Sequence, residues 1–353
     1  MICYLINADV YFPVYIFLSA QKGEIVGIRI KGTGRYIPEK ILSNDDLEKM
    51  VDTSDEWIVT RTGIKERHIA ADDETTSDMA AKAAKAALEN AGISADMIDL
   101  IIVSTVTPDH AFPSTAALVQ KKIGAGKCPC FDQEAACSGL LYAFNTAYGL
   151  MASPLAYKRV LVIGAEKMTS LVDWTDRSTC VLFGDAAAAF VLENDGNPET
   201  EDYYVAGEVG ADGEWADILR VPAGGTAMPP SHETVDAKLH YLKMGGPKTF
   251  HMAVLSMTNA CRAVLEKSGT DVQDVTWAVP HQANRRIIDA VAERLGIPEK
   301  VYLNVDRYGN TSSASIGICL DELNRSGKLK RGDLVLAASF GAGLTWAAML
   351  IRW

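Results

Sequence analysis

Positive charge is in deficit: 34 lysines and arginines stand against 45 aspartates and glutamates, a formal charge of −11. A surface of that sign repels phosphate backbones, which argues against broad nucleic-acid binding and leaves any anionic partner to a local basic patch. None of the seven cysteines (Cys3, Cys128, Cys130, Cys137, Cys180, Cys261, Cys319) stands in a CxxC pair, and 353 residues is far above the size of a disulfide scaffold. A reduced, cytoplasmic protein without structural metal is expected. Gly32-Thr33-Gly34 lacks the third glycine of a dinucleotide fingerprint, so no nucleotide cofactor is expected either. The first 20 or so residues are apolar but lack a basic n-region and contain Asp9 and Pro13. As a membrane span they would carry Asp9 at a cost of about 2.5 to 3.5 kcal/mol, so residues 1–24 read as an N-terminal extension of unclear role and not as an anchor.

What is present reads as an α/β chain. With 48% hydrophobic residues over 353 positions, it can fill two cores. Valine- and isoleucine-rich runs at 99–104, 159–164, 275–279 and 333–338 alternate with helical stretches, as strands joined by helical crossovers do. These runs are apolar throughout, which predicts strands buried on both faces with helices on both sides. The chain also repeats itself. A strand followed by Phe183-Gly184-Asp185 and a small-residue run recurs as a strand followed by Phe340-Gly341-Ala342. Phe131-Asp132 before a turn at Cys137 matches Val305-Asp306 before a turn at Asn310. Two halves, 25–199 and 200–353, are expected, each bringing one polar turn at a helix start to a shared centre.

Three residues could carry chemistry. Cys137, among small neighbours and ahead of Leu140, Leu141 and Phe144 at helical spacing, is placed at a helix N-terminus. Unpaired N–H groups and the helix dipole there favour thiolate, which predicts a lowered thiol pKa. His281 follows an apolar run, at a strand end suited to proton or hydrogen-bond work, and precedes Asn284, Arg285 and Arg286 at a helix start. Asn310 sits in a turn rich in helix-capping residues. Each also has a plain reading: a buried structural thiol, a solvated loop histidine, a helix N-cap.

Taken together, the run from Thr53 through Trp57 and Arg61 to Ile64, His110 to Ser114, the Cys137 turn, Phe183-Gly184-Asp185, Pro280-His281-Gln282-Ala283-Asn284 and Gly309-Asn310-Thr311-Ser312 resemble the β-ketoacyl-acyl carrier protein synthase III family. The likeness runs from about residue 25 to the end. It implies a thiolase-like fold, two duplicated βαβαβαββ halves layered α-β-α-β-α, and a condensing acyltransferase that starts fatty-acid synthesis. By the same resemblance Cys137 takes an acyl group from acyl-CoA, a substrate and not a cofactor. Malonyl-acyl carrier protein then decarboxylates to an enolate held by His281 and Asn310, while the backbone N–H groups of Cys137 and Ala342 form the oxyanion hole. Coenzyme A contacts are implied at Trp57, Arg61, Arg177, Gly246, Phe250 and Asn284, with Trp57 and Arg177 sandwiching the adenine. Phe112, reaching across a homodimer, and Phe340 belong to the acyl pocket; Arg286, Arg285 and Lys248 belong to carrier docking.

Departures from the family pattern are His251 in place of the usual docking lysine, Ser178 after Arg177, and Ala342 for glycine. They leave open a specialised ketosynthase or acyltransferase with another acceptor. Cysteine, histidine and asparagine in this order also serve papain-like hydrolases, a more distant alternative.

Overall fold

The structure, a computed structural model, describes residues 27–353 apart from Pro198 and Asp202; the extension expected over residues 1–24 lies outside the described residues. Nine strands make the two principal sheets. The first contains β1 (Ile28–Tyr36), β2 (Leu100–Ser104), β3 (Cys130–Gln133), β4 (Arg159–Lys167) and β5 (Asp185–Asn194), in the order β1-β5-β4-β2-β3. The second contains β6 (Tyr204–Ala211), β7 (Trp277–Pro280), β8 (Leu334–Gly341) and β9 (Thr345–Arg352), in the order β7-β8-β9-β6. In both, the two later strands pair antiparallel (β4 with β5, β8 with β9), and β4 and β8 each have a parallel neighbour on the other side (β2 and β7). The counterpart of β3 is a parallel bridge between Ala278 and Val301.

Seven helices concern the site: α1 (Asp55–Thr62), α2 (Thr76–Ala91), α3 (Thr115–Ile123), α4 (Gly139–Met151), α5 (Gly246–Ser268), α6 (Arg285–Leu295) and α7 (Ala314–Arg325). Their starts are written locally: Ser54, Thr75 and Ser114 cap α1, α2 and α3 through their side chains, and glycines in the left-handed region close all three.

The layering follows from the two-residue period of the strands. Along β4, Val160 and Val162 join the central core with α4 and α7, while Leu161 and Ile163 join the outer core with α2 and α3. Along β8, Val335 and Ala337 face the centre, and Leu336 and Ala338 face α5 and α6. Helices therefore alternate with sheets as α-β-α-β-α, as the sequence implied. The central helix α7 is buried from Ala314 to Leu323. Its buried Asp321 is matched by Thr33 Oγ1 at 2.6 Å and Arg325 Nε at 2.9 Å, which lifts the penalty of burying the charge.

The internal repeat is real but its register differs from the sequence reading. Val305 lies in a short helix, Val305–Tyr308, and Val301 takes the place matched to β3. Phe340 and Gly341 end β8, whereas Phe183 and Gly184 precede β5. The cause is connection length: β8 turns into β9 through residues 342–344, while residues 168–184 separate β4 from β5.

The halves meet where β4 and β5 touch the turn before α7. Asn310 N donates to Leu182 O at 2.8 Å and Gly184 N to Asn310 O at 3.1 Å. A Cβ on Gly164 would lie 2.8 Å from Ser313 O, so only glycine lets this turn close onto β4. Gly149, in α4, has open space around its Cα. Gly164→Ala should therefore lower the urea midpoint by an amount equivalent to about 1 to 3 kcal/mol, and Gly149→Ala should raise it by up to about 1 kcal/mol. Equal effects of the two substitutions would contradict this packing.

Candidate active site

Cys137 occupies a 3-10 turn, Ala136–Ser138, between β3 and α4. The turn is tight: Ala136 is held at φ 46°, in the left-handed region, and its N–H donates to Glu134 Oε1 at 2.9 Å. The end of β8 clamps it from the other half. A Cβ on Gly341 would lie 2.7 Å from Cys137 N, and the single Thr345 Oγ1 proton lies between Ala135 O at 2.9 Å and Ala342 O at 3.1 Å. Ala342 is thereby brought beside the nucleophile turn, as a shared oxyanion hole requires.

His281 directly follows β7 and is buried, its N–H donating to Ala338 O at 2.8 Å. Nδ1 lies 2.6 Å from Ser315 Oγ, which also accepts from Gln282 N at 3.4 Å. In the tautomer with N–H at Nε2 the Ser315 hydroxyl donates to Nδ1, and an imidazole N–H is left for the cavity. Asn310 is fixed by its own turn: Oδ1 accepts from Ser312 N at 2.8 Å, leaving the amide N–H groups to serve as donors. All three side chains line one cavity of about 1160 Å³.

That cavity runs outward past Phe340 and Ala342 to Phe250, Gly246, Asn284, Arg286, Arg61 and Trp57. The match to the residues expected there is uneven. Asn284 lines the cavity, but its side chain caps α6, accepting from Arg286 N at 2.9 Å and donating to Arg61 O at 3.1 Å. The slot expected between Trp57 and Arg177 is closed: the Arg177 guanidinium lies 5.0 Å from the Trp57 ring centroid, and Arg61 lies 4.8 Å from it. Inserting a ring needs about 7 Å, twice a carbon contact distance, so Arg177 must leave its bond to Asp52 O to admit one. Phe112, expected to reach across a homodimer, and the docking candidates Lys248 and Arg285 stand off this chain's own cavity wall, which those expectations allow. Lys248 rests 4.0 Å over Trp215, Arg285 pairs with Asp289 at 2.7 Å, and Phe112 is 85% exposed. Arg286, 5.5 Å over Phe250, is the docking candidate that stays at the mouth.

Comparison with known proteins decides the family. The model of 3-oxoacyl-[acyl-carrier-protein (ACP)] synthase III matches residues 131–213, and that of its C-terminal part matches residues 265–353. The β-ketoacyl-[acyl-carrier-protein] synthase III of Caldanaerobacter subterraneus subsp. tengcongensis is 50% identical over 331 residues, covering 94% of this chain and 99% of the relative. The chain belongs to the β-ketoacyl-acyl carrier protein synthase III family. The crystal structure of the Aquifex aeolicus synthase III superposes with a TM-score of 0.84 at 49% identity, over 92% of this chain and 100% of that one. The priming β-ketosynthase of the R1128 polyketide pathway gives the same TM-score at 36% identity, over 92% and 96%. The thiolase-like fold and the condensing-acyltransferase class read from the sequence therefore hold. No helix among the described residues is long and apolar enough to cross a membrane.

The electrostatics correct one expectation. Cys137 lies at the start of α4, yet burial pushes its thiol up to about 12, outweighing the contact with Ser312 that favours the thiolate; Glu166 and Glu134 push the same way as burial. Cys137 is half-buried at the wall of the cavity, and the protein packed around its sulfur works against the helix N-terminus. Burial also lowers His281, to about 4. Both shifts favour a neutral thiol beside a neutral imidazole over a thiolate–imidazolium pair.

Sequence reading missed several contributors. Ser312 in a turn, Ser315 in the first turn of α7 and Thr345 at the start of β9 are ordinary by composition, and only their contacts reveal them. Glu166 carried a usable signal, a carboxylate at the end of the apolar run 160–165. The low His281 value gives a prediction. Condensation by a preformed acyl-enzyme should keep its rate from pH 8 down to about pH 5, because the imidazole stays neutral until near 4. An acid limb centred on the ordinary imidazole value of about 6.5 would show a histidine that titrates in water.

Proposed function

We propose that Cys137, His281 and Asn310 carry out the family's decarboxylating condensation, in which an acyl-CoA primer is joined to malonyl-acyl carrier protein to start fatty-acid synthesis. The observation that carries this reading is the convergence of a thiol, an imidazole and an amide from both halves on one deep cavity with an aromatic and basic mouth.

In the first step the Cys137 sulfur attacks the thioester carbonyl of acyl-CoA. The oxyanion is met by the N–H groups of Cys137 and Ala342, and the carbon–sulfur bond to coenzyme A breaks. The sulfur attacks as its proton is given up, and the departing coenzyme A sulfur takes up a proton in turn, so the step is proton-neutral overall. In the second step the malonyl carboxylate departs as carbon dioxide, and its electron pair forms an enolate. The oxygen of that enolate takes hydrogen bonds from His281 Nε2–H and Asn310 Nδ2–H. The enolate carbon then attacks the acyl-Cys137 carbonyl, and the released sulfur takes up a proton.

The mouth supports the substrates. Trp57, Arg61 and Arg286 offer a planar ring and two cations to the nucleotide and phosphates of coenzyme A, although the net charge is −11. Carrier docking falls chiefly to Arg286, with Lys248 and Arg285 engaged by Trp215 and Asp289. The homodimer belongs to the same proposal, supported by Phe112, exposed on the loop beside the cavity-lining His110 and Ala111, and by the unpaired outer edge of β3. So do the division of the chain near residue 200 and a cytoplasmic setting, which suits the free thiols of Cys128, Cys130, Cys137, Cys180, Cys261 and Cys319.

Intact-mass analysis after incubation with a panel of acyl-CoAs tests the reading. One acyl group should appear on Cys137 and vanish when malonyl-acyl carrier protein is added, with release of a β-ketoacyl carrier and carbon dioxide. Release of free acid alone would mean hydrolysis, and transfer without carbon dioxide would mean a simple acyltransferase.

A further inference from the structure

Two donors are assigned to one enolate oxygen, so their spacing matters as much as their identity. They stand on separate segments: His281 directly follows β7, and Asn310 follows the short helix Val305–Tyr308. One buried side chain spans the gap, that of Gln282, next to His281 in the chain. Its Oε1 accepts from Asn304 N at 3.0 Å and from Val305 N at 3.2 Å. Its Nε2 donates to Pro280 O at 2.7 Å, with Tyr302 O at 3.3 Å as a second acceptor. Both amide protons and both acceptor positions are thereby used.

The short helix carries that hold to Asn310. A helix of one turn does not stand alone, and Asn304 at its start gives it no side-chain cap; Gln282 supplies the cap instead. Asn304 turns its own side chain to α7, where Nδ2 donates to Glu322 Oε2 at 2.9 Å and Oδ1 accepts from Cys319 Sγ at 3.2 Å. The two Arg307 Nη atoms donate to the Glu322 carboxylate at 2.9 Å each, and Tyr308 Oη donates to it at 2.8 Å. Gly309 N then closes on Val305 O at 3.0 Å, and Asn310 is the next residue. Beyond Asn310, Ser315 Oγ in the first turn of α7 meets His281 Nδ1 at 2.6 Å. The segment of His281 and Gln282 is thus tied to the chain both before and after the asparagine.

We propose that Gln282 is a positioning residue: its side-chain amide sets the distance between the His281 and Asn310 donors. It is not among the residues lining the cavity, so it acts through its neighbours and not on the substrate. A cap supplied locally by Asn304 would hold the short helix equally well without referring it to the histidine. Drawing the cap from the residue after His281 couples the two donors. An apolar side chain of the same length would be cheaper to bury, but it would leave Asn304 N and Val305 N unmet and the spacing free.

The role rests on the condensing reading, in which acylation needs the sulfur and decarboxylation needs the two donors. Carbon dioxide release from malonyl-acyl carrier protein and acylation of Cys137 by acyl-CoA are therefore measured side by side in Gln282→Met, which keeps the length and loses the hydrogen bonds. Release should fall about 10- to 100-fold, the range for a donor displaced by about 1 Å, while acylation stays within about twofold. In an Asn310→Ala background the same substitution should cost less than about threefold, because the pair it spaces is already broken. A side chain that only supports the fold would lower the melting temperature, leave both rates per folded molecule unchanged or lower them together, and act equally in both backgrounds; any of these results overturns the proposal. Should Gln282→Met fail to fold, Gln282→Asn decides, its amide being one methylene too short to meet Pro280 O and the Asn304 and Val305 amides together. The ratio of release to acylation should fall in it, and an unchanged ratio contradicts the role. A native chain that released no carbon dioxide would end the condensing reading and this proposal with it, whereas normal native release with an unchanged ratio in the variants ends the proposal alone.

Discussion

The site exists because two duplicated halves approach each other backbone to backbone. Gly164 lets the turn ahead of α7 close onto β4, and Gly341 lets the end of β8 reach the Cys137 amide. A side chain at either point would push apart what the chemistry needs together. That contact places the nucleophile turn of one half against the asparagine turn of the other, with Asn310 buried and Cys137 half-buried on the cavity. Desolvation then favours the neutral thiol and the neutral imidazole, and hydrogen bonds organise the centre.

A site built this way suits a reaction whose charge appears on oxygen. A permanently charged cysteine–histidine pair would be costly to bury and would leave the imidazole committed to the sulfur. A neutral imidazole held by Ser315 and an amide held by Ser312 are free to meet an enolate as it forms, with little reorganisation. Acylation is proton-neutral overall: the thiol gives up a proton, and the departing coenzyme A sulfur takes one up.

Much of this was legible in the chain. Uniformly apolar runs announced strands buried on both faces, and the repeated turns announced two halves. Cys137, His281 and Asn310 stood at strand ends and helix starts, and the family resemblance supplied their roles. What stayed hidden depends on distance. The repeat register slipped by the four residues from Val301 to Val305, because the second half has a lone bridge at Val301 and then a short helix, Val305–Tyr308, where the first has a strand; the Phe340 match slipped because one half turns directly from β8 to β9 and the other inserts a long connection. The helix-start argument for a thiolate failed because depth, which no local pattern reports, outweighed the dipole. Lys248, Arg285 and Arg177 are basic residues near the mouth in sequence terms, yet Trp215, Asp289 and Trp57 already engage them.

The central claim is that the sulfur and the two donors do separate work. Carbon dioxide release from malonyl-acyl carrier protein, measured beside acyl-enzyme formation in Cys137→Ala, His281→Ala and Asn310→Ala, tests it most directly. The account predicts that Cys137→Ala cannot be acylated yet still decarboxylates. It predicts that the other two still form acyl-Cys137 while decarboxylation and condensation fall together by about 10² to 10³, the effect of losing one oxyanion donor. If His281→Ala or Asn310→Ala instead lost acylation and kept decarboxylation, the imidazole and the amide would be serving the sulfur as in a cysteine hydrolase, and the division of labour would be wrong.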